Sequence, residues 1–299
     1  MPRAETLRRW ALGACIALPL LMLAANLLAW LRWGTDLPYF DDWRAYDQRN
    51  ARSLAPARLF EAVNNTISPI GMALEALAQC GLGGNPLPYQ TLSMLGVLGG
   101  LLWMQWRLLG WVTGDARLRA LLFAFCFLML QSGSYWGEQN LAYHQALPLL
   151  ALLGANCLLA RAGRAGGGRW LATFALGLAA GLSYVSGAVG ALVMGAGWWL
   201  LGRLLPPRAL AARLRAGGGA LLLAGAATSA LQIYLTRVAQ SRQLQYMELT
   251  WPTSADFWAY LAGKLGRATG QGFASTAAEA AWVALLALAL LAAAGFALR

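Results

Sequence analysis

Apolar and polar positions divide the chain into long apolar runs separated by segments that carry most of its charge. The first run, Trp10 to Leu31, holds no charged residue and matches the roughly 20 residues a helix needs to cross a bilayer. Further runs predict spans at 88–112, 118–133, 146–160, 170–184, 187–202, 217–236 and 279–297, about eight in all. Residues 170–202 carry no charge, and as one helix they would reach about 50 Å, too long for a single crossing. Arginines flank both ends, so the stretch predicts two spans with a tight turn at Ser183–Gly187. The runs are rich in Leu, Ala and Gly and do not alternate with polar residues, which excludes barrel strands.

The connecting segments fall into two kinds. One kind is arginine-rich: Arg3, Arg8 and Arg9; Arg117 and Arg119; Arg161, Arg164 and Arg169; Arg203, Arg208, Arg213 and Arg215. Positive charge beside apolar runs marks the cytoplasmic side, so the N-terminus is expected there. The other kind then faces outward: 33–87, 131–145, the 183–187 turn and 237–277. These segments hold most of the acids, amides and clustered aromatics. Leu54, Leu59, Phe60, Val63 and Ile67 predict amphipathic helices along the outer interface, as does Ser254 to Leu265. Residues 67–82, with Pro69 and Gly71 at their start, predict a re-entrant or interfacial helix. The glycine runs 165–168 and 217–219 read as parts or borders of inner loops and match no nucleotide-binding pattern.

Composition sharpens this picture. The chain is 59% hydrophobic and 12% charged, with a mean hydropathy of +0.52, whereas soluble domains carry roughly 25% charged residues. The class is therefore an all-α polytopic membrane protein. Residues 1–299 read as one integral membrane domain. The net charge of +11 is mostly topogenic arginine, so nucleic acid is not an expected partner; the bilayer is. The first run exceeds the 7–15 residues of a cleaved signal's apolar core and reads as an anchor. Cys15, Cys80, Cys126 and Cys157 lack metal-site spacing and read mainly as small core residues. One histidine, His144, rules out a multi-histidine site within the chain.

Candidate chemistry begins just after the first span, at Pro38-Tyr39-Phe40-Asp41-Asp42-Trp43. Acids are scarce, twelve against 23 Lys plus Arg. A vicinal pair wrapped in aromatics can supply a general base for a hydroxyl acceptor, or hold a divalent metal with neighbouring oxygens. The plainer use is a helix cap beside interfacial aromatics. Trp136, Glu138, Gln139 and Asn140 form an aromatic–carboxylate–amide cluster suited to sugar hydroxyls, or else another capped outer helix. His144 can move protons near neutrality or simply bond at the interface. Arg44, Arg49, Arg52 and Arg58 run against the charge bias of an outer segment. Anionic phosphate would explain them, and so would pairing with Asp47 and Glu61. Glu75 is an ionisable group in an apolar stretch.

Together, Pro38–Trp43 after the first span, Ser134–Asn140, Leu182–Gly187 in a hairpin and Trp251-Pro252 before an amphipathic stretch resemble the GT-C superfamily of membrane glycosyltransferases. The resemblance covers most of the chain and is closest to bacterial inner-membrane members. Eight spans are fewer than that superfamily usually carries, so the chain reads as a short or truncated member. The resemblance implies a sugar donor on a polyprenyl phosphate, a glycan or lipid acceptor, and transfer on the extracytoplasmic face during cell-envelope modification. It implies an acidic residue of the first outer loop as base, here Asp41 or Asp42. It also implies basic outer residues on the lipid phosphate, with Arg44 and Arg52 the choices by charge and position. Two other readings stand beside it. One is a transporter or flippase for a lipid-linked or anionic solute, which needs ionisable groups at mid-bilayer. The other is a non-catalytic subunit of an envelope assembly.

Overall fold

The computed structural model describes residues 2–33, 52–62, 66–83, 85–129, 146–161, 166–206, 209–238 and 253–259, and the single positions 281, 284, 285 and 288. The described chain is almost entirely helical, and no β-strand occurs among the described residues. In order it forms α1 (Pro2–Trp33), α2 (Pro56–Leu59), α3 (Pro69–Gly81) and α4 (Pro86–Ser93). A π-helical turn, Met94–Leu98, leads into α5 (Gly99–Val112) and α6 (Ala116–Met129). Then follow α7 (Leu147–Ala160), α8 (Gly167–Ser183), α9 (Val185–Leu204) and α10 (Ala209–Val238).

The chain divides into two units, Met1–Phe127 with Gln131–Leu244, and Leu128–Leu130 with Gln245–Arg299. In the second unit a short helix covers 255–259, inside the predicted amphipathic stretch, and the Phe257 and Trp258 rings meet edge to face at 5.3 Å. The predicted span 279–297 lies mostly outside the described residues.

Among the described residues, three helices are long and apolar enough to cross a membrane: Leu87–Val112, Val185–Leu204 and Ala209–Arg237. The chain therefore carries the helices of a membrane protein. The predicted first span lies within the unbroken helix α1. Predicted spans three to five coincide with α6, α7 and α8, helices of 14, 14 and 17 residues. The predicted turn within 170–202 is real. Tyr184 leaves helical geometry at φ −168°, ψ 161°, its N–H still donates to the Ala180 carbonyl at 3.3 Å, and its carbonyl accepts the Gly187 N–H at 3.0 Å. A side chain at Gly187 would collide with the Ala180 carbonyl, so glycine lets α9 fold straight back on α8.

α7 to α10 pack together as a bundle, with α5 against α7 and α3 against α8. The tightest seam joins α9 and α10. On α9, past Gly187 at the turn, the buried positions are Ala188, Ala191, Gly195, Trp198 and Gly202; on α10 they include Ala211, Leu214, Gly218, Leu221, Gly225, Thr228 and Gln232. Both sets repeat at spacings of three and four, the heptad pattern of left-handed helix packing. Most of these side chains are small, so the two backbones nearly touch. A methyl added at Gly218 would stand 2.6 Å from the Trp199 nitrogen and 2.7 Å from the Gly195 carbonyl oxygen. One added at Gly195 would stand 2.8 Å from the Leu222 nitrogen. Small residues at helix contacts are how membrane helices associate where lipid removes the hydrophobic drive. On its other flank α10 runs parallel to α8, with Gly177 against Leu221 and Ala224, and Gly181 against Thr228.

Two expectations are corrected. The glycines at 217–219 do not border a loop; they lie inside α10, which starts at Ala209 and runs 30 residues. Ile67 is not on an amphipathic helix. Among the described residues of that part, only Pro56–Leu59 is helical, and Ile67 is fully buried in non-helical backbone ahead of α3. The predicted helix over 67–82 is present as Pro69–Gly81, 13 residues or about 20 Å, shorter than the roughly 30 Å bilayer core. The π-helical turn was not legible as an interruption of the second predicted span.

The seam yields a paired test. Gly218→Ala is expected to lower the thermal unfolding midpoint of the detergent-solubilised protein, with a cost of about 1–3 kcal/mol from overpacking. Gly219→Ala, whose added methyl meets nothing within 4 Å, is expected to leave the midpoint unchanged or slightly raised.

Candidate functional site

Of the residues singled out for chemistry, Asp41, Asp42, Arg44, Trp136, Glu138, Gln139, Asn140 and His144 lie outside the described residues. Arg52 is described: it is exposed, in the turn that leads to α2. Arg58, considered beside it for phosphate, is instead ion-paired with Glu61 one turn along. Glu75 is half-buried on α3. The described residues therefore bring none of the nominated groups together; they define the ends of the bundle to which the nominated segments connect.

Those two ends differ. At the end where α8 turns into α9, α10 presents Gln232, only 5% exposed. It stands one helical turn beyond Thr228, which packs on Gly181. Its side-chain amide reads the backbone of Ile67 on both sides. Oε1 accepts the Ile67 N–H at 2.9 Å, and Nε2 donates to the Ile67 carbonyl at 2.9 Å. Thr66 Oγ1 adds a bond to Oε1 at 3.3 Å. Buried backbone outside a helix needs such internal partners, since water does not supply them. Ser68 follows as the N-cap residue of α3, its carbonyl accepting the Met72 N–H at 2.9 Å. The clamp thereby fixes where the segment carrying Arg52 and Arg58 joins the bundle.

The opposite end is held by arginine. Arg213 Nη1 donates to the carbonyls of Leu159 at 3.1 Å and Arg161 at 2.6 Å. Arg169 Nη1 also donates to the Arg161 carbonyl, at 3.0 Å. These bonds satisfy orphan carbonyls at the end of α7, where positive charge is favoured. Because Arg213 reaches the connection after α7, the two arginine-bearing connections lie at one end of the bundle, as the paired crossing of 170–202 requires. Elsewhere in the same unit, Arg119 donates twice to the Trp106 carbonyl, at 3.1 and 2.7 Å, with its guanidinium 3.7 Å from the Trp106 ring centre. Arg107 lies 5.8 and 5.6 Å from the Trp103 and Trp111 rings. Arg203 lies 4.6 Å from Trp199. Trp–Arg pairs of this kind suit a membrane–water boundary, where the ring sits in headgroups and the cation meets phosphate or water.

Between the ends, the buried hydroxyls bond to their own helices: Thr173 to the Arg169 carbonyl, Ser183 to Ala179 and Thr228 to Ala224, at 2.7–2.9 Å. No Asp, Glu, Lys, Arg or His is buried among the described residues. Gln105 on α5 is a buried exception to full satisfaction, with neither amide atom hydrogen-bonded. Neither Gln232 nor Arg213 was nominated from sequence. The available signal was that Gln232 is the sole amide in the run 217–236 and shares the three–four spacing of its small neighbours.

The chain matches no protein-family model, and neither the curated proteins nor the solved structures compared with it include a match.

The clamp is testable. Gln232→Leu strands the Ile67 N–H and carbonyl, each costing about 1–3 kcal/mol when buried without a partner. Hydrogen exchange at the Ile67 amide is expected to accelerate by roughly tenfold or more. Exchange within α9 is expected to stay as it was.

Proposed function

We propose that this chain is a membrane glycosyltransferase of GT-C-like, eight-span architecture. It moves a sugar from a polyprenyl-phosphate donor to a glycan or lipid acceptor on the extracytoplasmic face of the plasma membrane. The observation that best supports this reading is the absence of ionisable side chains from the buried positions among the described residues. The groups able to do chemistry sit instead in the segments that connect the apolar helices. A transferase needs its polar groups gathered at one membrane surface. A carrier needs them along a path through the bilayer.

In this reading the acceptor hydroxyl attacks the anomeric carbon while Asp41 or Asp42 takes its proton, and the bond to the lipid phosphate breaks. The phosphate is already a good leaving group, so the protein must chiefly orient the acceptor and neutralise developing charge. Arg44 and Arg52 are assigned to the donor phosphate; the exposed guanidinium of Arg52 suits that role. Trp136 offers a stacking face, and Glu138, Gln139, Asn140 and His144 offer hydroxyl partners for the sugar. A divalent metal held by the acid pair is the alternative way to activate the acceptor.

The carrier reading draws on one specific feature, the π-helical turn Met94–Leu98 a short way before buried Gln105. Helix irregularities of this type often accompany function. A single neutral amide is a weak solute site, and the transferase reading is preferred.

Purified protein supplied with radiolabelled polyprenyl-phosphate sugars is expected to transfer label to an acceptor. Asp41→Asn or Asp42→Asn is expected to reduce that transfer by about 10²–10⁴-fold with donor binding and unfolding midpoint retained. If wild type neither binds nor turns over any donor, and both variants support normal growth and envelope composition in cells, the transferase reading is wrong.

A further inference from the structure

The arginine end holds more than helix caps. Residues 146–238 contain eight arginines and no Asp or Glu, and seven of the eight fall between Arg161 and Arg215. The bundle therefore carries no carboxylate of its own to balance them. A cleft of about 20 Å³ opens at this end, lined by Leu159, Arg169, Trp170, Thr173, Trp198 and Arg213. That volume admits one or two oxygen-sized groups. Its walls are apolar and aromatic: Trp198 is 8% exposed, and Trp170 stacks on Phe174 at 5.3 Å. Its polar side is cationic. Arg213 spends Nη1 on the α7 carbonyls, but its Nε–H is buried without a hydrogen-bond partner. Gly166 at the rim is the N-cap of α8, where the helix dipole also favours an anion.

A buried, unpaired guanidinium N–H beside an aromatic wall calls for a charged acceptor that reaches in from outside. Water would satisfy the donor and leave the charge imbalance. A carboxylate from this stretch of chain does not exist. A phosphate oxygen does both, and arginine is the side chain best suited to it. Phosphate is also what the bilayer offers where basic pockets between helices meet the headgroups.

We propose that this cleft binds a phosphate-ester oxygen of an anionic lipid, with Arg213 and Arg169 as donors and Trp170 and Trp198 shielding the contact from water. The site is independent of the sugar-transfer reading and lies at the other end of the bundle from the Gln232 clamp. Occupancy ties α7, α8 and α10 together through one ligand.

The test is native mass spectrometry of the full chain in detergent, titrated with phosphatidylglycerol, phosphatidylcholine and free glycerol phosphate. Wild type is expected to retain phosphatidylglycerol in preference to phosphatidylcholine by about tenfold. Arg213→Gln removes the key donor but also a helix cap, so two further variants accompany it. Arg169→Gln keeps the Arg213 caps, and Ala216→Leu fills the cleft with both guanidiniums in place. All three are expected to lose the preference. Arg215→Gln, which removes an exposed charge outside the cleft, is expected to keep it. Equal loss in Arg215→Gln would mean diffuse charge attraction and would overturn the site. So would lipid retention in Ala216→Leu equal to wild type, or no preference in wild type. Displacement of the lipid by glycerol phosphate at equal concentration would reassign the cleft to soluble phosphate esters.

Discussion

Two helix backbones in near contact organise the main unit of this protein. Along α9 and α10, small residues at three–four spacing remove the side chains that would hold the helices apart, and Gly195 and Gly218 place carbonyl oxygens and backbone nitrogens within van der Waals reach. In a bilayer, lipid tails are as apolar as leucine, so close packing must do what hydrophobicity does in water. The remaining packing follows from this. α8 is tied to α9 by the Gly187 turn and lies parallel to α10 through Gly177 and Gly181. α7 docks on α8, and α5 docks on α7 through Gly100 and Leu150.

A seam this tight leaves little room for chemistry between the helices, and polarity collects at the ends. At one end, Gln232 bonds both the N–H and the carbonyl of Ile67 and fixes the backbone there. At the other, arginines cap α7 and line a cleft. The same sequence feature, arginine beside an apolar run, thus serves as a helix cap and, on the proposals above, as topology signal and ligand donor. That overlap explains why Arg213 sits inside α10 and not in the loop before it: its long side chain reaches the boundary from within the helix.

Sequence periodicity was a good guide wherever bilayer thickness set the answer. The break at Tyr184 was legible because 170–202 is too long to cross once, and the helix Pro69–Gly81 because an apolar run opens there on Pro69. It was a poor guide where helix packing set the answer. Gly217–Gly219 read as loop material because glycine weakens helices in water; in this seam the missing side chain is the contact. Gln232 was overlooked because a lone amide in an apolar run looks like tolerated noise until its partner, Ile67, is known from the fold. The nominated site was legible only as a pattern of residue types. Arg52 is its sole member among the described residues, and a pairing such as Arg58 with Glu61 cannot be told in advance from a ligand contact.

On the proposed topology the nominated segments share one membrane face and the arginine connections the other. Impermeant thiol labelling of intact cells tests it directly. Single cysteines at Thr35, Ser134 and Ser186, and at Ala165 and Arg208, would be placed in a background with the four native cysteines replaced. The account predicts labelling from outside at Thr35, Ser134 and Ser186, and labelling at Ala165 and Arg208 only after the membrane is opened. If Thr35 or Ser134 labels from the side opposite to Ser186, the acid pair and the Trp136–Asn140 cluster do not share a face with the turn, and the one-face arrangement is wrong.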